Sequence, residues 1–145
     1  MARVEFDIET SVTPERVLEG LTDFTERRPD IWPGLKREMY EVHEVGDTWA
    51  DVTEGTGGSV WARERYDWAS PGKVTWTVQE SGFCAPGSFI SADVTPRDGG
   101  SRIHITWERT PTTLLGRMIA VLIVLTRGAA LRGSYVKGLR NLETA

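Results

Sequence analysis

The sequence predicts an α+β fold, a curved seven-stranded antiparallel sheet wrapped around a long C-terminal helix, with two short helices after the first strand. Three observations carry this reading. Apolar residues alternate with period two in short stretches, first over residues 3–10 and then repeatedly between 36 and 109, as half-buried strands require. The turns between the later stretches are too short for parallel crossovers, so successive strands pair antiparallel. Beyond Pro111 the apolar spacing changes to three and four residues, which marks a helix.

Each element follows in order. Residues 3–10 place Val4, Phe6 and Ile8 on one face of the first strand. Thr13-Pro14-Glu15-Arg16 reads as a helix start, with a capping hydroxyl and a proline at the first helical position. Val17, Leu18, Leu21 and Phe24 supply its apolar stripe. Pro29, Pro33 and Gly34 then limit the next segment to a short helical turn and a break. Strands are expected at 37–45, 48–54, 59–68, 73–80, 88–95 and 101–109. Trp49, Trp61, Trp68, Trp76 and Trp107 fall within them, where aromatic residues are favoured.

A single helix is expected over about residues 112–142, with Leu115, Met118, Leu122, Leu125, Ala129, Val136 and Leu139 as its stripe. Gly116, Gly128, Gly133 and Gly138 weaken it by up to ~1 kcal/mol each, so packing has to hold it. Those glycines also permit close approach to the sheet. The chain shows no repeat, low-complexity tract or linker, so residues 1–145 are expected to form one domain. One helix cannot fill the whole concave face of such a sheet. A ligand cavity of roughly 300–1,000 Å³ is expected between them.

Composition narrows the function. With 39% hydrophobic and 26% charged residues the chain is globular, and its net charge of -4 provides no overall positive field for nucleic acid or anionic lipid. A lone cysteine, Cys84, forms no internal disulfide, and the first residues lack the order of a signal peptide. A cytoplasmic location is the expectation. The apolar run Met118–Leu125, bounded by Arg117 and Arg127, is far below the ~20 residues of a membrane span. It is read as buried helix and not as an integral membrane segment; any exposed remainder would mark a homodimer or membrane-surface contact. His43 and His104 lie far apart and Cys84 sits in a glycine-rich loop, so neither a metal site nor a cofactor site is expected.

Two features point to a site. Trp76 alternates in phase with Val74 and Val78, and Trp107 with Ile103 and Ile105, so both rows face the helix as core or as an apolar cavity wall. Strand 59–68 has Trp61, Arg63, Arg65 and Asp67 on one face and Val60, Ala62, Glu64, Tyr66 and Trp68 on the other. The second face is apolar but carries a carboxylate, which is costly to bury unless paired or protonated. Glu64 is thus either a structural partner of an arginine or a polar anchor or acid/base group in the cavity. The candidate ligand-contacting residues are Trp76, Trp107, Tyr66, Glu64, Leu122 and Leu125, with Glu64 and Tyr66 as candidates for proton transfer.

The element order, the helix start Thr13-Pro14-Glu15-Arg16-Val17, Asp23-Phe24, the segment Arg28-Pro29-Asp30-Ile31-Trp32-Pro33 and the terminal Leu139-Arg140-Asn141-Leu142-Glu143 give the chain a resemblance. It resembles the START-like, Bet v 1-like (SRPBCC) superfamily, and most of all its polyketide cyclase/dehydrase and lipid-transport-like branch. The resemblance implies a helix-grip fold and a hydrophobic or aromatic small molecule, such as a lipid or polyketide, as partner. It assigns no catalytic residue. Binding of such a molecule is the first expectation. The alternatives are a polyketide aromatase/cyclase- or dehydratase-type enzyme using a cavity carboxylate and tyrosine, and a protein-partner module using the C-terminal helix.

Overall fold

The computed structural model describes residues 1–144. The chain runs β1 (Ala2–Thr10), α1 (Pro14–Leu21), α2 (Arg28–Ile31), a 3-10 turn (Arg37–Met39), β2 (Glu41–Val45), β3 (Trp49–Gly57), β4 (Val60–Asp67), β5 (Lys73–Ser81), β6 (Phe89–Arg97), β7 (Gly100–Arg109), α3 (Leu114–Leu125) and α4 (Ala129–Thr144). All seven strands form one antiparallel sheet in the order β1-β7-β6-β5-β4-β3-β2, so the first strand closes onto the last. This is the antiparallel α+β architecture that the alternation predicts, in the helix-grip form that the resemblance implies.

Register sets the inner face. Ala50 pairs with Tyr66, Tyr66 with Trp76, Trp76 with Ile90, Ile90 with Trp107 and Trp107 with Val4, a continuous row across six strands. A neighbouring row joins Val52, Glu64 and Val78. The strand ladder shifts by one residue between Arg63 and Glu64, a bulge that puts the extra residue on β5. Residues 37–39, expected to begin a strand, form the 3-10 turn instead; the Tyr40 hydroxyl donates to the Thr25 carbonyl at 3.0 Å and ties this segment to the α2 side.

The first helix forms as its sequence requires. Thr13 Oγ1 accepts from the Arg16 N–H at 3.3 Å, and Pro14 occupies the first turn. At its other end Gly20 lies under Leu142, joining α1 to α4.

The single long C-terminal helix is not observed. It breaks at residues 126–128 into α3 and α4, which are bent by 82°. The break is a Schellman motif: Gly128 N–H donates to Ile123 O at 2.8 Å and Arg127 N–H to Val124 O at 3.1 Å. Arg127 takes φ 53° and Gly128 φ 83°, two successive left-handed residues. A side chain at 128 would meet Phe6 of β1 at 2.6 Å, so the turn is seated on the sheet. Neither helix alone is long and apolar enough to cross a membrane.

The buried side of α3 also differs from the expected stripe. Gly116, Ala120 and Ile123 are buried, while Leu115, Met118, Leu122 and Leu125 are exposed. Between residues 118 and 125 every side chain of α3 is apolar, so spacing alone does not select which face packs. In α4 the expected Leu139 is buried, together with Gly138 and Leu142.

Candidate functional site

Between the concave sheet face and the α3–α4 corner lies a cavity of about 440 Å³. Its apolar wall includes Trp76, Ile90 and Trp107 from the sheet and Ile119, Ile123 and Leu131 from the two helices. Trp32 and Trp61 stand at its sides. Trp76 and Trp107, expected as cavity wall, are thus on it and almost fully buried. Leu122 and Leu125 are not on the wall: they are 55% and 77% exposed, because the packed face of α3 is the one carrying Ile119 and Ile123.

Two polar groupings interrupt this surface. Arg28, from the short α2, is 4% exposed and uses its whole fork. Its Nε donates to Glu54 Oε2 at 2.8 Å, Nη1 to the carbonyls of Leu21 and Asp23 at 3.0 and 3.1 Å, and Nη2 to the Tyr66 hydroxyl at 3.1 Å. The Tyr66 hydroxyl donates in turn to Glu54 Oε1. Burial works against the Arg28 charge, but Glu54 and Tyr66 outweigh it and hold the guanidinium charged. The Tyr66 ring stacks on Trp76 at 5.3 Å and meets the edge of Phe24 at 4.9 Å, so its position is fixed from several sides.

The second grouping is Glu64 with Arg109. Glu64 faces inward, as the alternation of β4 predicts, and is 5% exposed. Its Oε2 lies 3.6 Å from Arg109 Nη2, beyond hydrogen-bond length, and this buried oxygen has no hydrogen-bond partner. Burial pushes the carboxyl up to about 7, against the pull of the Arg109 charge. Arg109 directs Nη1 at Cys84 Sγ at 3.5 Å, a weak acceptor, and lies 5.7 Å from the centre of the Phe83 ring. Tyr135 also lines the cavity, and burial raises its phenol above the ordinary value.

Glu64 and Tyr66 both line the cavity, yet they do not bond to each other; the Tyr66 hydroxyl is committed to Glu54 and Arg28. Polar residues of the wall missed by sequence reasoning include Glu54, Arg109 and Arg28. Glu54 continues the inward row of Ala50 and Val52, and Arg109 that of Ile103, Ile105 and Trp107, so the parity that finds Glu64 also finds them. Arg28 sits on a four-residue helix with no periodic signal. Among the described residues no three of His, Cys, Asp and Glu gather in a metal-binding group.

The arrangement is an apolar container with one carboxyl group that titrates near neutrality and lacks a full set of partners. Such a group accepts a hydrogen bond when ionised and donates one when protonated.

Similarity to known proteins agrees with this fold. No match is found among curated protein sequences. Among solved structures the chain is similar to the protein TTHA0849 from Thermus thermophilus, with a TM-score of 0.77 and 15% identity over 98% of this chain and 97% of that one. It is also similar to the Zhui aromatase/cyclase from Streptomyces, with a TM-score of 0.75 and 16% identity over 97% of this chain and 93% of that one. A START superfamily protein from Mycobacterium smegmatis gives a TM-score of 0.69 and 13% identity over 92% of this chain and 96% of that one. At these identities the likeness is one of fold. The family model described as polyketide cyclase/dehydrase and lipid transport matches residues 1–145 in full. The chain therefore belongs to the polyketide cyclase/dehydrase and lipid transport family, on a START-like scaffold.

Proposed function

We propose that this protein binds one apolar, ring-bearing small molecule carrying an oxygen function, with the rings against Trp76 and Trp107 and the oxygen at Glu64. The observation that carries the reading is the unpartnered, buried Glu64 Oε2 on the wall of a largely apolar cavity of about 440 Å³. Leaving a buried carboxyl oxygen without a partner is unfavourable, and a ligand hydroxyl or carbonyl relieves it. The apolar rings supply affinity through burial, at about 25 cal/mol per Å².

Four of the six tryptophans line the cavity, so intrinsic fluorescence reports occupancy. Titration with 1-naphthol and with naphthalene tests the proposal. Both should quench the emission, and 1-naphthol should bind more tightly in the native protein. In Glu64→Gln the advantage of the hydroxyl should shrink. No quenching by either compound, or equal affinities in the native protein, would remove the reading.

A second reading is favoured by the Glu64 carboxyl lying near pH 7, where both its forms are populated. With a bound β-hydroxy ketone, the ionised carboxylate takes the proton from the carbon between the two oxygen functions. The resulting carboxylic acid returns that proton to the departing hydroxyl, which leaves as water. Glu64 ends as it began, and Arg109 supports the charged form. Water release from a β-hydroxy ketone model compound, lost in Glu64→Gln, is its test.

A further inference from the structure

Helix α3 is apolar on every side except at Gly116 and Arg117, yet only Gly116, Ala120 and Ile123 are buried. On the opposite side Leu114, Met118, Val121, Leu122 and Leu125 are between 55% and 77% exposed. Their spacing places them along one stripe of the helix. A helix without a polar face is ordinarily covered on all sides, and an exposed apolar strip of this length marks a docking surface.

The charge beside the strip indicates what covers it. From Thr110 to Asn141 the chain has no acidic residue and five cations: Arg117, Arg127, Arg132, Lys137 and Arg140. All five are exposed, and among the described residues none takes part in an ion pair. The chain holds 17 cations and 21 acidic residues in all, so the remainder carries 12 against 21. An anionic surface therefore attracts the α3–α4 side and repels the rest, which orients the molecule. A second copy docking on the same strip would bring Arg117 and Arg127 against their own counterparts with no acid nearby to balance them.

We propose that the exposed face of α3 docks on the surface of an anionic lipid bilayer, with its apolar stripe among the acyl chains and its arginines at the headgroups. The inner face of the same helix contributes Ile119 and Ile123 to the cavity wall, so one helix thickness separates the docked face from the cavity. Docking in this orientation places the cavity where an apolar ligand passes between bilayer and protein. That exchange rests on the cavity binding such a ligand; the docking does not.

The experiment is co-sedimentation of the full chain with vesicles of phosphatidylcholine alone and of phosphatidylcholine with about a third phosphatidylglycerol. Binding to the anionic vesicles should be at least roughly tenfold stronger, and should weaken as salt is raised. Met118→Asp with Val121→Asp should abolish it, while the melting temperature and the quenching by 1-naphthol without vesicles stay as in the native protein. Arg117→Glu with Arg132→Glu should erase the preference for anionic lipid. Equal binding to both vesicles, or unchanged binding by the aspartate pair, overturns the proposal. A dimer that forms without lipid and is dissolved by the aspartate pair assigns the strip to a second copy and also overturns it. Vesicle binding without any 1-naphthol uptake leaves the docking standing and removes only the exchange.

Discussion

Arg109 Nη2 stands 3.6 Å from Glu64 Oε2, close enough for its charge to be felt and too far to donate a hydrogen bond. The pair is almost fully buried on the cavity wall. Glu64 is therefore left between two states. Burial favours the neutral acid, and Arg109 favours the carboxylate.

This balance has a direct effect on stability. Burial raises the folded-state value of Glu64 to about 7 from an ordinary 4.5, so the native protein holds this proton to higher pH than the unfolded chain. The stability it confers is fully present below about pH 4.5 and is lost as pH rises towards 7, a change of about 3 kcal/mol. Glu64→Gln removes the titration. Urea unfolding of the two proteins across this range should show the native form losing stability relative to the variant as pH rises. Parallel curves would place the Glu64 titration at its ordinary pH.

How much of this was legible in the sequence depends on the kind of signal. Strand parity places Glu64, Tyr66, Trp76 and Trp107 on the inner face because each sits in a period-two row with buried neighbours. The same parity reaches Glu54 and Arg109, but only when a charged residue at the end of an apolar row is read as part of it. The bend at residues 126–128 was not legible, because an isolated Gly128 is compatible both with a continuing helix and with a Schellman turn. The position of Phe6 against that glycine, a contact across most of the chain, decides it. Without the bend, Leu122 and Leu125 are assigned to the wrong face. Arg28 depends on partners from β3 and β4, which only the tertiary fold brings together.

Arg28 anchors the other polar grouping, and its loss should be severe. Arg28→Ala leaves the partly buried Glu54 carboxylate without its cation and the carbonyls of Leu21 and Asp23 without their donor. A loss of about 3–5 kcal/mol is expected, as for a broken buried ion pair. The double variant Arg28→Met with Glu54→Gln should recover much of it, because no unpaired charge remains. Chemical denaturation of the three proteins measures this. A single variant within about 0.5 kcal/mol of native would show that water reaches and solvates Glu54.

The glycines of α4 separate in the same kind of measurement. A Cβ on Gly138 would lie 2.1 Å from the Trp32 ring, whereas nothing lies within 4 Å of one on Gly133. Gly138→Ala should therefore destabilise by about 1–3 kcal/mol through overpacking. Gly133→Ala should stabilise by roughly 0.5–1 kcal/mol, since alanine is the better helix former and the site is open. Thermal melts give both signs. A neutral Gly138→Ala would mean that Trp32 is free to move away from α4.

The last prediction joins the charge balance to the ligand. The affinity of 1-naphthol should depend on pH with a midpoint near the Glu64 value of about 7, because the hydroxyl bonds better to the carboxylate than to the acid. Affinity should rise as pH rises through that midpoint. Arg109→Met removes the nearest charge that favours the carboxylate, so the midpoint should move upward by about one to three units. The variant should still fold, since the carboxyl it leaves behind is neutral below the new midpoint and no buried charge is stranded. Glu64→Gln should flatten the profile altogether. Tryptophan quenching measured across pH for the three proteins decides the matter. A midpoint that stays in place when Arg109 is replaced would separate the two residues, leaving burial alone to set the carboxyl.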